Sequence, residues 1–153
     1  MRAWRLCKRK WAATAFSGNG AAEAPGRWNS LGQKAVYCAD TQSLAMLEIL
    51  AHVGNKRLLR RARFVAIPVD IPDGLIDCPS KLPSDWRKRP PSRSTQHFGD
   101  RALAHPDHPV LRVPSAIIPG EFCFVLRPDH PRFAEIRIGA PEPVEFDPRV
   151  VSA

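Results

Sequence analysis

Between Thr41 and Asn55 a mostly apolar run holds one formally charged side chain, Glu48. On a helix, at about 100° per residue, Glu48 projects within about 40–60° of Leu44 and Ala51 on the apolar face. Leu47 flanks these, while Met46, Ile49 and Leu50 cover other sides. A carboxylate in that position must be paired, protonated or turned into a cleft, since an isolated buried charge is costly. A core salt bridge and a cleft carboxylate with a defined task both meet the condition. A cation with special context is Arg27, within Gly26-Arg27-Trp28-Asn29-Ser30. Gly26 frees the backbone there, and a guanidinium offers a planar fork to phosphate or carboxylate. An ordinary surface arginine beside a packing tryptophan is the plainer reading. Tyr37 is the chain's only tyrosine, and on its type alone it reads as core with a hydrogen-bonded tip.

Ser115, in Val113-Pro114-Ser115-Ala116, has no GxSxG elbow and no accompanying triad order. It reads as a hydrogen-bonding group rather than a nucleophile. His105, His108 and His130 have neither a cysteine pair nor an HExxH pattern beside them, so they read as loop histidines and no metal site is expected. No phosphate-binding glycine pattern of the common nucleotide folds is present.

These residues need elements to hold them. Residues 3–6, 35–39, 64–69, 121–126, 135–138 and 143–146 read as strands from their β-branched and aromatic content. Asp40 or Thr41 caps a helix that runs to about Val53 and closes at Gly54-Asn55; it is apolar almost all round, as for a buried element. Residues 17–26 read as loop from their glycines, and residues 70–114 as a long proline-rich rim anchored by Trp86, Phe98 and Leu103.

The chain has 153 residues and 16 prolines, which exclude long uninterrupted helices, coiled coils and helical solenoids. Its net charge of +8 suggests an anionic partner, which nucleic acid, a phosphorylated metabolite or an acidic protein would equally satisfy. The cations gather in Arg2 to Lys10, Lys56 to Arg63 and Arg87 to Arg93, without the aromatic interleaving of a single-strand-binding surface. The four cysteines are widely spaced, and reduced thiols in a cytoplasm are expected. No apolar run reaches the roughly 20 residues of a membrane span.

The segments Gly26-Arg27-Trp28-Asn29-Ser30-Leu31-Gly32, Val36-Tyr37 and Ala45-Met46-Leu47-Glu48 together resemble the RES domain family, named for an arginine, a glutamate and a serine. Val113-Pro114-Ser115-Ala116-Ile117-Ile118-Pro119 is similar to its serine segment, and Pro128-Asp129-His130-Pro131-Arg132-Phe133 to its closing motif. Leu82-Pro83, Trp86, Gln96 and Gly99-Asp100 resemble its middle section, so the likeness covers roughly residues 4–138. Two departures are Arg127, where the family commonly has asparagine, and Ala102, where an aromatic is common.

The resemblance implies one α+β domain over residues 1–153, ADP-ribosyltransferase-like and strand-rich, with one buried central helix and a long proline-rich loop segment. It implies a toxin of a bacterial type II toxin–antitoxin pair that depletes NAD by hydrolysis or phosphorolysis of the nicotinamide–ribose bond. ADP-ribosyl transfer onto a protein is the close alternative, and a nucleic-acid-binding or RNA-cleaving toxin a second one motivated by the charge. The implied catalytic residues are Arg27, Glu48 and Ser115, with Arg27, Tyr37, Trp28, Asn29 and Ser115 as substrate contacts. Glu48 would stabilise positive charge on the ribose, Arg27 clamp the pyrophosphate, Tyr37 stack on nicotinamide and Ser115 orient the ribose end. NAD is then substrate, inorganic phosphate an optional co-substrate, and no cofactor is expected. The implied partner is an Xre-type antitoxin that occludes the site and carries any DNA contact; a homodimer inside that complex is compatible, and no membrane is involved.

Overall fold

In the computed structural model, which describes residues 1–152, strand alternation divides the apolar side chains between the two faces of one sheet. The strands are β1 (Arg2–Lys8), β2 (Val36–Ala39), β3 (Phe64–Asp70), β4 (Ile76–Asp77), β5 (Val110–Pro114), β6 (Phe122–Leu126), β7 (Arg137–Ile138) and β8 (Glu142–Val144). Their spatial order is β4-β5-β6-β2-β1-β3-β7, and β8 pairs with the opposite end of β3 from β7. Only β4 and β5 run parallel. β1 registers with β3 along its whole length, but with β2 only through Trp4 opposite Ala39.

On one face, Ala3, Val36, Val69, Val110, Phe124 and Leu126 pack with Ile71, Leu75 and Ile136. The other face carries two separate apolar clusters. In the first, α2 (Gln42–His52) lays Leu44 and Ala45 on Leu6, Ala39, Phe64 and Ala66. In the second, α3 (Arg93–Leu103) and Trp28 cover Leu111, Val113 and Val125. The two clusters meet at Cys123, and where Trp4, Tyr37 and Cys123 are only partly covered the site forms. Two short helices, α1 (Asn19–Glu23) and α4 (Pro148–Val151), complete the helical set.

The mixed α+β class read from the sequence is the one that folds, with Thr41 capping α2 as expected: its hydroxyl accepts from Leu44 N at 3.0 Å. Three details differ. The segment 70–114 is not a loop throughout, since it contains β4, α3 and β5. Proline density concealed α3, although Pro90-Pro91 precede its N-cap Ser92, whose hydroxyl accepts from Thr95 N, and Pro106 follows its end. Prolines there punctuate a helix rather than forbid one. Residues 17–26 likewise include α1. Finally, α2 is less buried than its lack of charge implies: Leu47 is 38% exposed, Ala51 faces solvent, and only Leu44 and Ala45 are fully buried.

The fold also gathers charge. Arg9 N donates to the Arg63 carbonyl at 2.8 Å, and Lys8 stands opposite Phe64, so two of the basic runs meet at one end of the β1–β3 pair. Exposed Trp11 lies there, with the ammonium groups of Lys8 and Lys10 5.1 and 4.9 Å from its ring centroid.

Gly99 lets α3 approach the Trp28 backbone: a Cβ there would lie 1.9 Å from the Trp28 carbonyl oxygen. Gly99→Ala should therefore destabilise the protein by about 2–3 kcal/mol in chemical denaturation, because backbone must shift on one side or the other. Gly20→Ala, where a Cβ meets nothing within 4 Å, should be neutral or stabilising by up to about 1 kcal/mol.

Candidate functional site

The sheet at the border of the two clusters forms the floor of a cleft of about 560 Å³, a volume suited to a small-molecule ligand. Trp4, Leu6, Tyr37, Ala39 and Cys123 come from the strands; Ala45, Glu48, Ile49 and His52 from α2; Gly26, Arg27, Arg89 and Pro91 from the facing loops. Pro114, Ala116 and Ile117 also line it.

Glu48 has no ion pair among the described residues, so the core salt bridge is excluded. Its Oε1 accepts from the Ser115 hydroxyl at 3.4 Å and faces the Cys123 thiol at 3.6 Å. Burial, and then the negative charge of Glu48, push the Cys123 thiol well above its usual range. Cys123 is thus a neutral donor toward the carboxylate, not a nucleophile. One turn on, His52 Nδ1 lies 2.6 Å from the Glu48 carbonyl oxygen.

Arg27 lines the same cleft without touching Glu48. Its Nη1 donates to the carbonyls of Trp86 and Lys88, at 2.5 and 2.8 Å, and so latches the rim segment. Burial lowers its pKa, with the nearby charge of Arg89 adding to that and Glu48 opposing it.

The loop carrying Arg27 is built around Asn29, which is 0% exposed. Asn29 Oδ1 accepts from Gly26 N at 2.9 Å and from the Tyr37 hydroxyl at 2.8 Å, while Nδ2 donates to the Ala21 and Gln33 carbonyls. The Tyr37 hydroxyl in turn accepts from Trp28 N at 3.0 Å. Gly26 is required by this packing, since a Cβ there would fall 2.6 Å from the Tyr37 oxygen. From α3, Gln96 Nε2 donates to the Gly26 carbonyl, and the Asp100 carboxylate accepts from both the backbone and the hydroxyl of Ser30.

The structure therefore brings Arg27, Tyr37 and Glu48 to one cleft and gives three other expected residues different placements. Asn29 does not line the cleft, and its amide is taken up by hydrogen bonds within the loop. Trp28, 3% exposed, touches the cleft edge but packs against Trp86 and Phe98, each with ring centroids 6.1 Å away. Ser115, 1% exposed, lies behind the lining; its hydroxyl accepts from Ile117 N and Ile118 N and donates to Glu48. Its one donor is thus directed at the Glu48 carboxylate.

Sequence reasoning missed Arg5, His52, Arg89 and Cys123 as lining residues. Arg5 Nη1 donates to the Tyr37 carbonyl at 3.0 Å across the sparsely paired β1–β2 boundary, and its Nε is buried with no hydrogen-bond partner in the protein. Arg5 in a short strand was the available signal. His52 could have been found as the residue one helical turn after Glu48. The histidines considered for metal have local structural tasks: His105 and His108 stack at 4.5 Å, and buried His130 accepts from Arg132 N. Among the described residues there is no group of three or more side chains placed to hold a metal ion.

A model of the RES domain matches residues 2–147. A protein named Toxin Res from Photorhabdus laumondii is 41% identical over 127 residues, covering 82% of this chain and 80% of that protein. A Toxin Res from Yersinia enterocolitica is 32% identical, covering 98% and 99%. A Prs ADP-ribosylating toxin from a Sphingobium species is 31% identical, covering 97% and 95%.

Burial raises the Tyr37 pKa well above the ordinary value near 10. The unfolded chain then loses this proton first, so the tyrosine's contribution to stability is full below about pH 10 and shrinks as pH rises above it. Tyrosinate absorbance should be absent from the folded protein at pH values where free tyrosine ionises. Tyr37→Phe should cost about 1–3 kcal/mol by stranding the Trp28 N–H and half of the Asn29 oxygen's bonding. A tyrosinate signal with a normal midpoint in the folded state would refute the assignment.

Proposed function

The chain belongs to the RES domain family, and from that premise we propose that it is a toxin enzyme cleaving the nicotinamide–ribose bond of NAD. The acceptor in this reading is water or inorganic phosphate. The observation that carries it is a carboxylate and a guanidinium lining one cleft without pairing, so that both remain available to a ligand.

The C–N bond breaks with its electron pair leaving on nicotinamide, which becomes neutral. Positive charge develops on the ribose, as in glycoside hydrolysis, where carboxylates stabilise an oxocarbenium-like transition state. Glu48 supplies that stabilisation from a partly apolar setting, where fixed charge acts more strongly than in water. Ser115 fixes its Oε1, and the Cys123 thiol faces the same oxygen. The acceptor oxygen then bonds to the ribose carbon, and its surplus proton passes to solvent. The Tyr37 ring offers a face for nicotinamide, while its hydroxyl stays with the loop. Nicotinamide leaves as a neutral molecule, so neither a strong general acid nor a metal is called for.

In this reading the protein acts in the bacterial cytoplasm as half of a type II pair, and an Xre-type antitoxin silences it by filling the cleft and carries the DNA contact. The name of the Sphingobium relative favours a second reading, in which the same bond breaks but a protein side chain accepts the ADP-ribose. ADP-ribosylated protein in expressing cells, detected by mass spectrometry, together with slow NAD loss from purified protein, would select that reading.

Purified protein should release nicotinamide from NAD, with a rate that depends on phosphate if phosphate is the acceptor. Glu48→Gln should lower the rate by about 100-fold or more while the protein stays folded. Ser115→Ala should lower it by about tenfold through a less fixed carboxylate. No nicotinamide from the wild type, with or without phosphate, would overturn the enzymatic claim.

A further inference from the structure

Three arginines (Arg5, Arg27 and Arg89) are among the cleft-lining residues, against a single carboxylate, Glu48. The cleft therefore carries excess positive charge that no side chain of its own neutralises. Arg5 and Arg27 each commit Nη1 to backbone carbonyls. Arg89 differs. It is exposed, lines the cleft from the rim, and makes no hydrogen bond or ion pair among the described residues. Its neighbours are otherwise engaged: Arg87 lies over the Trp86 ring at 4.8 Å, and the Asp85 carboxylate accepts from Ser94 at 2.8 Å. No carboxylate thus compensates Arg89.

Its position depends on Arg27. By holding the carbonyls of Trp86 and Lys88, Arg27 fixes the backbone immediately before Arg89. The Nε and Nη2 of Arg27 carry no hydrogen bond among the described residues, so one edge of its fork latches the rim while the other remains open. Arg89 stands close enough for its charge to act on Arg27, and two like charges with open donors form an arrangement that an anion with several oxygens relieves.

We propose that Arg89 extends the pyrophosphate clamp expected of Arg27 into a two-arginine diphosphate subsite at the cleft mouth, so that Arg89 favours a nucleotide diphosphate-linked ribose over a bare riboside. This rests on reading the cleft as the NAD site and adds a residue and a specificity to it. Arg89 is the specificity-determining residue. Arg27 has two tasks, rim latch and anion donor.

Calorimetric binding tests the assignment without turnover, with ADP-ribose, adenosine and inorganic phosphate as separate probes. Wild-type protein should bind ADP-ribose more tightly than adenosine, and Arg89→Ala should weaken ADP-ribose about tenfold while leaving adenosine unchanged. Arg89→Lys should fall between, since an ammonium keeps charge but loses the fork. Arg101→Ala, which removes an exposed charge on α3 away from the cleft, should change neither ligand. In kinetics, Arg89→Ala should raise KM for NAD with little change in kcat, and leave nicotinamide riboside unaffected. Unchanged ADP-ribose affinity in Arg89→Ala, or equal loss for adenosine, would overturn the proposal. Loss of phosphate binding alone would also overturn it and assign Arg89 to a free phosphate instead. If Arg89-dependent ADP-ribose binding is found but NAD is not cleaved, the catalytic reading fails and the subsite stands.

Discussion

The carboxamide of Asn29 is the junction on which the cleft depends. With one oxygen and one nitrogen it fixes the turn at Gly26, the tip of Tyr37 on β2, and the carbonyls of Ala21 and Gln33. It is fully buried, and a buried amide left half-satisfied would be costly, so the four contacts stand or fall together. Arg27 and Trp28 lie between those fixed points, and α3 grips the same loop from the other side through Gln96, Gly99 and Asp100. The arginine is thus held by its neighbours before it meets any ligand. Such preorganisation is what electrostatic catalysis and anion binding require.

The cleft itself results from incomplete covering. Two apolar clusters occupy one sheet face, and Trp4, Tyr37 and Cys123 lie at their borders, only partly covered and open to the cleft. One wall carries the carboxylate and the facing wall carries arginines, so separated charges lie across an apolar floor. In water such charges would be screened; here the field between them persists. The placement of Ser115 belongs to the same scheme. Its hydroxyl closes a tight turn and spends its remaining donor on Glu48, so that the carboxylate is held from behind by Ser115 while Cys123 faces the same oxygen.

How much of this was legible in the sequence depends on range. The strands were readable because alternation is local, and α2 because its cap and period are local. Glu48 stood out because a lone charge in an apolar run is visible without a structure. Asn29 and Ser115 were recognised as special, yet their tasks were hidden, since the partners of a side-chain amide or hydroxyl cannot be read from spacing. The helix α3 was obscured by the prolines around it, whose density outweighed the amphipathic pattern between them. Arg89 was one of several cations in a basic run; what separates it from Arg87 and Lys88 is that it lines the cleft, a property of the folded chain alone. The apolar character of α2 overstated its burial, because absence of charge does not require cover, as Leu47 shows.

The position of β6 has a consequence for the order in which the protein comes into being. This strand is made late, yet it lies mid-sheet between β5 and β2, and it supplies Cys123 to the floor of the cleft. A growing chain that already contains Arg5, Arg27, Tyr37 and Glu48 therefore has two half-sheets with no centre joining them. Closing that gap requires contacts between residues far apart along the chain, a step that comes late in synthesis and is slow for sheets of this kind. A fragment that ends before residue 122 lacks the strand that joins β5 to β2, and with it the Cys123 side of the cleft floor.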